Sequence, residues 1–243
     1  INQFYVREPN PSEWLKDMDY KNKLSLNPLY IKCKIDVCVF AIKPQLAEQV
    51  IIKTKKDLDK DCLVISVIAG KNFKFFASIL NESLSVIRVM PNTPVSIEAG
   101  VSAIIGNKFC SSSQIEWADN FFSILGRTVI LEKEGLINAI TAISGSGPAY
   151  IFNLAEILIK SGRDLGLSEE ISKTIVLQTI VGAGLLATKS EISPSKLREN
   201  VTSPNGTTEA ALNILMNEKN GWHQIINSAI NAAYERSKLL AKN

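Results

Sequence analysis

The first half of the chain alternates short, β-branched apolar runs with stretches of helical periodicity. Continuous apolar runs are typical of strands that are covered on both faces of a sheet. These runs are residues 3–7, 35–42, 63–69, 85–90, 101–105 and 128–131. Apolar residues recur at helical spacing in 72–81 and 113–125. Strands that alternate with helices in this way predict an α/β fold with a doubly wound parallel sheet.

The pattern changes after the segment 132–134. β-branched runs disappear there, and nearly all of the remaining chain has helical periodicity. We therefore predict an α/β domain over 1–132 and an all-helical domain over 133–243. The longest apolar run, 174–188, is interrupted by Gln178 and is shorter than a bilayer span, so we expect a buried core helix and no membrane partner.

Composition narrows the possible functions. The formal charge of +3 comes from 27 basic and 24 acidic residues without charged blocks, which argues against a nucleic-acid partner. The four cysteines form no CxxC pair, which favours reduced thiols in the cytoplasm and no metal site. The single histidine, His223, has no sequence partner that would make it catalytic, and we assign it no role.

The segment 142–150 (AISGSGPAY) combines small residues with a proline at the start of a predicted helix. Gly145 and Gly147 have no Cβ, so a flat ligand or another chain can approach the backbone closely. Pro148 suits the first helical position because its missing N–H is not needed there. We expect the helix to stop at Gly162 and Gly166. A tight helix-to-helix turn without chemistry is the alternative interpretation.

Open α/β sheets bind ligands at the carboxyl ends of their strands. Four predicted strand ends, 8–10, 41–44, 69–70 and 90–94, carry small or rigid residues beside free backbone groups. A dinucleotide site also needs a glycine-rich turn after the first strand, and no such turn occurs. The one GxGxxA match, 182–187, lies inside a helical run and indicates close helix packing.

A second polar turn lies between two predicted late helices. Ser193 and Pro194 form a strong helix start, and the segment 202–208 then joins a proline, an Asn-Gly pair and several hydroxyls ahead of another helix. Amides at the start of that helix would face an anion, and the hydroxyls could orient a small carboxylate. A capped helix-to-helix turn is again the alternative.

Three segments in this order and spacing, 89–94 (VMPNTP), 141–150 (TAISGSGPAY) and 197–208 (LRENVTSPNGTT), closely resemble pyrroline-5-carboxylate reductase. The resemblance implies a Rossmann-like N-terminal domain and a helical domain that interleaves with a second subunit, as a homodimer and often in rings of dimers. It also implies that Δ1-pyrroline-5-carboxylate is reduced to L-proline by NADPH or NADH, the last step of proline biosynthesis.

The resemblance also assigns site residues. It implies nicotinamide contacts at Ala41, Lys43, Pro44, Met90, Pro91, Asn92, Gly145, Ser146, Gly147 and Pro148. It implies a substrate loop at Asn200, Val201, Ser203, Gly206, Thr207 and Thr208. By this resemblance, the amides of 206–208 hold the carboxylate, and the Thr208 hydroxyl approaches the imine nitrogen as the catalytic group.

The end of the strand 3–7 bears on the cofactor. Glu8 stands where a carboxylate can accept from the ribose hydroxyls, which favours NADH. Arg7 or Asn10 could accommodate a 2′-phosphate instead. Glu8 as a solvated turn residue is the alternative interpretation.

The chain departs from the family pattern in three places. Asn138 stands where aspartate is common, and Asn205 replaces a common glycine, at which asparagine tolerates a left-handed backbone. The first strand, its glycine turn and the following helix have no counterpart. Because that strand lies centrally in such sheets, we expect two exposed strand edges.

Two other functional readings stay open from the sequence. The first is a truncated, inactive member that retains only the helical dimerisation module. The second is a related Rossmann reductase of β-hydroxyacids, which would need a catalytic lysine in the helical half and does not explain the 203–208 loop.

Overall fold

A computed structural model describes residues 3–19, 24–28, 31 and 33–241. Its strands form one small and one large sheet. The strands are Phe4–Val6 (β1), Leu24–Leu26 (β2), Val37–Phe40 (β3), Leu63–Ser66 (β4), Val86–Pro91 (β5), Gly100–Gly106 (β6) and Gly126–Ile130 (β7). All six predicted strands are present, and β2 is an additional one.

The sheet is divided into two pieces. β1 pairs in parallel with β2, and the larger sheet has the order β3-β4-β5-β6-β7. Among the described residues no strand joins the two pieces. An ion pair between Arg7 and Asp57, with 2.6 Å between Nη1 and Oδ2, connects the end of β1 to the turn before β4.

The direction of β6 differs from the all-parallel prediction. β3, β4 and β5 are parallel, but β6 runs antiparallel to β5, with Met90 opposite Ala103. The connection 92–99 contains only the 3₁₀ helix Thr93–Ile97. It is too short for the crossover that a parallel pair requires, so the chain turns back as a hairpin. β7 then returns parallel to β6.

Helices cover both faces of the large sheet. Glu13–Asp19 (α1) packs against β2 of the small sheet, and the helices on the large sheet are Ala47–Lys55 (α2), Phe73–Ile79 (α3) and Ser112–Ser123 (α4), with a 3₁₀ turn at Pro44–Leu46. One core cluster includes Val86 and Phe76 of α3. The other includes Ile87 and Phe122 of α4. Alternate side chains of β5 thus point to opposite faces, as strand geometry requires.

From Leu136 onward every regular element of the described residues is helical, as predicted. These elements are Leu136–Ile140 (α5), a π-helical turn at Thr141–Gly145, Gly147–Asp164 (α6), Glu169–Lys189 (α7), Pro194–Asn200 (α8), Thr207–Leu215 (α9) and Trp222–Leu240 (α10). The boundary between residues 132 and 133 stays a prediction.

The predicted stop of α6 is half wrong. Gly166 ends the helix with a left-handed φ of 94°, but Gly162 lies inside α6. Gly162 is needed for packing, because a Cβ there would lie 2.8 Å from Ser172 Oγ of α7. The absence of a side chain at Gly162 therefore sets how closely α6 and α7 approach.

The prediction that 174–188 is a buried core helix is wrong for the single chain. Only Ser172 and Val176 of α7 are buried, and large side chains such as Val181 and Leu185 are more than half exposed. At 21 residues, α7 is also long and apolar enough to span a membrane, the one such helix in the described part. Gly182 and Gly184 lie inside α7, but no described atom would contact a Cβ at either position.

Candidate active site

The π-helical turn lies directly against the end of β5. Its defining hydrogen bond runs from the Ser146 amide to the Thr141 carbonyl at 2.9 Å, and π-helical turns are frequent at functional sites. The Tyr150 hydroxyl donates to the Ala142 carbonyl at 3.0 Å, which ties the turn to the first turn of α6. Pro148 occupies the start of α6, as predicted.

Met90 and Gly145 are in contact. A Cβ built on Gly145 would lie 2.9 Å from Met90 Cε, so the methionine methyl packs where any side chain at 145 would stand. Gly147 has no described atom within 4 Å of such a Cβ and leaves its backbone open. The fold thus brings together two sets of predicted nicotinamide contacts, 90–92 and 145–148, that are far apart in sequence.

The Asn92 side chain has a structural role. Its Oδ1 accepts a hydrogen bond from the Val101 amide at 2.9 Å, which holds the start of β6 beside the end of β5. Pro91, the last residue of β5, is half-buried. Only the backbone and the remaining amide edge of Asn92 are therefore available to a ligand.

The predicted contacts after β3 form a short turn at the surface. Ala41 and Lys43 are exposed, and Pro44 begins the 3₁₀ helix that Lys43 caps. The Leu46 amide donates to the Lys43 carbonyl at 3.0 Å. In the part of the chain that the structure describes, no hydrogen bond links this turn to the π-helical turn.

Glu8 and Asn10 form a compact turn at the end of β1. Glu8 Oε1 accepts from the Asn10 amide at 2.9 Å, and the Glu8 amide donates to Asn27 Oδ1 at 2.8 Å. One carboxylate oxygen of Glu8 has no protein donor among the described residues. Because Arg7 is paired with Asp57, its guanidinium is already partly committed.

The 200–208 loop has the local geometry that its sequence predicts. Asn205 adopts a left-handed φ of 57°, which confirms that asparagine serves where glycine is common. The Gly206 amide donates to the Ser203 carbonyl at 3.0 Å, and the Asn205 amide donates to Glu209 Oε2 at 2.8 Å. Gly206 precedes the first helical residue of α9, Thr207.

The first amides of α9 face outward from the helix. First-turn amides have no acceptor within their own helix and can bind an anion. Thr208 is half-buried, whereas Asn200, Val201, Ser203 and Thr207 are exposed. Within a single chain, none of the hydrogen bonds found for the described residues connects this loop to 141–148. The hydrogen bonds of this loop are therefore local ones.

A buried ion pair beside the site was missed from the sequence. Arg88 Nη1 lies 2.8 Å from Glu134 Oε1, and Phe73 N donates to the same oxygen at 2.7 Å. Burial lowers the pKa of Arg88, and the hydrogen bond and charge of Glu134 partly oppose that effect. An arginine in the middle of the apolar run 85–90 was the signal that could have revealed it.

The departure at Asn138 is accommodated by a new contact. Its Oδ1 accepts a hydrogen bond from the Ser237 hydroxyl of α10 at 2.9 Å, as a carboxylate oxygen would. His223 is exposed and contacts Asn227, with 3.2 Å between Nε2 and Nδ2. Over residues 3–19, 24–28, 31 and 33–241, no group of three His, Cys, Asp or Glu side chains is placed to hold a metal ion.

The parallel strands β3, β4 and β5, the glycine turn against the end of β5 and the helical part that follows form the architecture of a Rossmann-like oxidoreductase. The family model described as "Pyrroline-5-carboxylate reductase dimerisation" matches residues 134–240. The pyrroline-5-carboxylate reductase of Pseudomonas aeruginosa is 40% identical over 207 residues, which are 85% of this chain and 75% of that enzyme. This chain belongs to the pyrroline-5-carboxylate reductase family.

Solved structures agree with this assignment. The reductase from Coxiella burnetii has a TM-score of 0.88 at 31% identity, covering 98% of this chain and 88% of that chain. The Plasmodium falciparum pyrroline carboxylate reductase with NADP bound has a TM-score of 0.82 at 30% identity, covering 98% and 87%. The predicted family, fold class and enzyme class are confirmed. These comparisons do not favour an inactive remnant, and they name this reductase rather than one acting on β-hydroxyacids.

Proposed function

We propose that this chain reduces Δ1-pyrroline-5-carboxylate to L-proline with NADPH or NADH, the last step of proline biosynthesis. The observation that carries the proposal is the contact between Met90 and Gly145. An open glycine backbone beside a flexible apolar side chain fits the flat nicotinamide ring. When bound, the cofactor supplies the hydride. The residues at 41–44 and the Glu8–Asn10 turn would extend the site along the nucleotide.

The substrate carboxylate is proposed to bind at the start of α9. The amides of Thr207 and Thr208 carry the partial positive charge of a helix N-terminus, which favours an anion. The backbone at Gly206 and the Ser203 hydroxyl complete the loop, with Asn200 and Val201 at its entry. The Glu209 carboxylate accepts from the Asn205 amide and thereby holds the loop in shape.

The proposed reaction does not require a strong general acid or base from the protein. A cyclic imine is basic enough to be partly protonated near neutral pH, so the protein mainly has to hold the iminium carbon in a dry pocket. The Thr208 hydroxyl is proposed to hydrogen-bond the ring nitrogen. This fits a chain whose single histidine is exposed and contacts Asn227.

A second subunit is proposed to complete the site. The 200–208 loop makes its hydrogen bonds locally, and α7 and α9 expose large apolar side chains, including Leu185 and Ile214. A homodimer that covers these faces can place the loop of one subunit over the glycine turn of its partner. Rings of dimers and a cytoplasmic location belong to the same proposal. The four free cysteines agree with that location.

The test is the oxidation of NADPH and of NADH with Δ1-pyrroline-5-carboxylate, in the wild-type chain and in Thr208 variants. Thr208→Ala should lower kcat/KM about ten-fold or more, the scale of one hydrogen bond to a charged group. Thr208→Ser keeps the hydroxyl and should recover most of that loss. A wild-type chain that binds cofactor without turnover contradicts the proposed reaction. Unchanged kinetics in Thr208→Ala remove Thr208 from the site.

A further inference from the structure

One carboxylate oxygen joins three segments at the boundary between sheet and helices. Glu134 Oε1 lies 2.8 Å from Arg88 Nη1 of β5 and accepts from the Phe73 amide, the first residue of α3, at 2.7 Å. The Arg88 side chain is 7% exposed and that of Glu134 is 29% exposed. Glu134 itself lies just before α5. The β5 strand, the start of α3 and the start of the helical part thus meet at one atom.

This pair is poorly explained by stability alone. Replacing a buried ion pair by apolar residues is often neutral or stabilising, because desolvation offsets the attraction. Its geometry is the more informative property. A hydrogen-bonded guanidinium and carboxylate that are mostly shielded from water fix the relative orientation and the distance of the two segments that carry them more tightly than apolar packing does.

The pair lies on the same side of the sheet as the nicotinamide-ring site. Side chains two residues apart on a strand share a face, so Val86, Arg88 and Met90 all point to the α3 side. Val86 packs in the α3 cluster, whereas Ile87 and Val89 pack with α4 on the other face. Arg88 is therefore the neighbour of Met90 on the face that the helical part approaches.

Glu134, the other residue of the pair, begins the segment that contains Gly145. From Glu134 the chain passes through α5 directly into the π-helical turn, where Gly145 contacts Met90. Arg88 with Glu134, and Met90 with Gly145, are thus two contacts between the same two segments. Because both contacts join the same two segments, the ion pair between Arg88 and Glu134 restrains the distance between Met90 and Gly145.

Other contacts hold the same boundary together independently. A Cβ on Gly70 would lie 3.0 Å from the Leu240 carbonyl, so the end of α10 packs against the turn after β4. The Asn72 side chain donates to the Ala241 carbonyl at 3.4 Å. Loss of the ion pair therefore leaves the helical part attached, with its exact placement less constrained.

We propose that Arg88 and Glu134 are positioning residues, which fix the separation of Met90 and Gly145 and so the shape of the nicotinamide-ring site. This inference rests on the proposed function, because it assumes that the ring lies against Met90 and the glycine turn. Neither residue touches the reacting atoms.

The test uses four variants of the full chain. Arg88→Met removes the charge at similar length, Arg88→Lys keeps it, and Glu134→Gln keeps an acceptor for the Phe73 amide. Ser237→Ala is the control, because it breaks a hydrogen bond between α10 and α5 inside the helical part and leaves the ion pair intact. For each variant, the measurements are the folded fraction by circular dichroism, the Kd for NADPH and NADH by fluorescence, and the isotope effect on kcat/KM with C4-deuterated cofactor.

Arg88→Met and Glu134→Gln should weaken cofactor binding or lower kcat/KM per folded molecule about ten-fold or more, since small displacements of a reacting ring have large effects. The isotope effect should rise in both, because hydride transfer becomes slower relative to binding. Arg88→Lys should recover part of the loss. Ser237→Ala should leave Kd and the isotope effect unchanged.

The two proposals fail in different ways. If the wild-type chain binds cofactor but does not reduce the substrate, the proposed reaction is wrong, and the Kd values still decide the role of the pair. If the wild type is active and both Glu134→Gln and Arg88→Lys behave like it, while Arg88→Met loses only folded fraction, the pair is merely structural and the inference is wrong. Should Arg88→Met not fold, the Glu134→Gln data alone decide between these results.

Discussion

The crossing of α6 and α7 allows a quantitative test of the packing described above. The Ser172 hydroxyl is fully buried and has no hydrogen-bond partner in the described structure. It faces Gly162, where an added Cβ would lie 2.8 Å from Ser172 Oγ and 3.2 Å from Ser172 Cβ. The perturbations are Ser172→Ala, Gly162→Ala and the double variant.

The expected free energies of unfolding follow from these distances. An unsatisfied buried hydroxyl costs about 1 to 3 kcal/mol, so Ser172→Ala should stabilise the protein by about 1 kcal/mol after lost packing is subtracted. Gly162→Ala gains about 1 kcal/mol of helix propensity but overpacks by about 1 to 3 kcal/mol, and should destabilise. Removing the hydroxyl relieves the closest contact, so the double variant should be more stable than the sum of the single changes by about 1 kcal/mol or more.

The assay is urea unfolding followed by circular dichroism. All variants are compared at one protein concentration, because α6 and α7 lie in the dimerisation region and association would shift apparent stability. If Ser172→Ala destabilises the protein by about 1 kcal/mol or more, the hydroxyl has a hydrogen-bond partner and the reasoning is refuted. Strict additivity in the double variant would show that residues 162 and 172 do not touch.

Two further predictions concern the ring site and the sheet. Gly145→Ala places a methyl 2.9 Å from Met90 Cε. Because the end of the methionine side chain is flexible, stability should change little, while the affinity for NADPH and NADH should fall about ten-fold. Gly135→Ala, with no described atom near the added Cβ, is the matched control, and equal affinities in both variants would contradict the prediction. Burial, with the neighbouring charge of Cys62, raises the pKa of Cys38 to about 12. Because the unfolded thiol ionises at a lower pH, the stability that Cys38 contributes should be fully present below about pH 8.5 and be lost above it by about 1.4 kcal/mol per pH unit. Burial raises the pKa of Cys62 to about 11 as well, so the Cys38 contribution is the difference in slope between the wild type and Cys38→Ala. Urea titrations from neutral to alkaline pH measure that slope, and an identical slope in Cys38→Ala would exclude this thiol as its cause.

Local signals predicted much of the fold correctly. Ser193 accepts from the Lys196 amide at the start of α8, and Pro148 lies in the first turn of α6, as the sequence predicts for both helix starts. The turn chemistry at Asn205 was also correct, since a left-handed φ depends mainly on the residue itself. Such features depend on a few neighbouring residues, so they can be read without the rest of the chain.

Non-local features were predicted less well. The antiparallel pairing of β5 with β6 follows from the length of their connection, which was not weighed against the helix-strand alternation. The predicted helix stop at Gly162 is wrong because the packing partner that requires a glycine there, Ser172, lies on another helix. The exposure of α7 was missed because apolar content predicts burial but does not say whether its own chain or a partner provides the cover.

The sequence by itself determined most of the elements, the helix starts at Pro148 and Ser193 and, through three long motifs, the family and the residues proposed for its site. Only the tertiary structure decided that Met90 lies against Gly145, that Arg88 is paired with Glu134, and that the 200–208 loop makes no hydrogen bond to the glycine turn of its own chain among the described residues. The physical reason is range. Caps, turns and periodicity act over a few residues, whereas contacts between distant segments depend on how the sheet and helices pack as a whole.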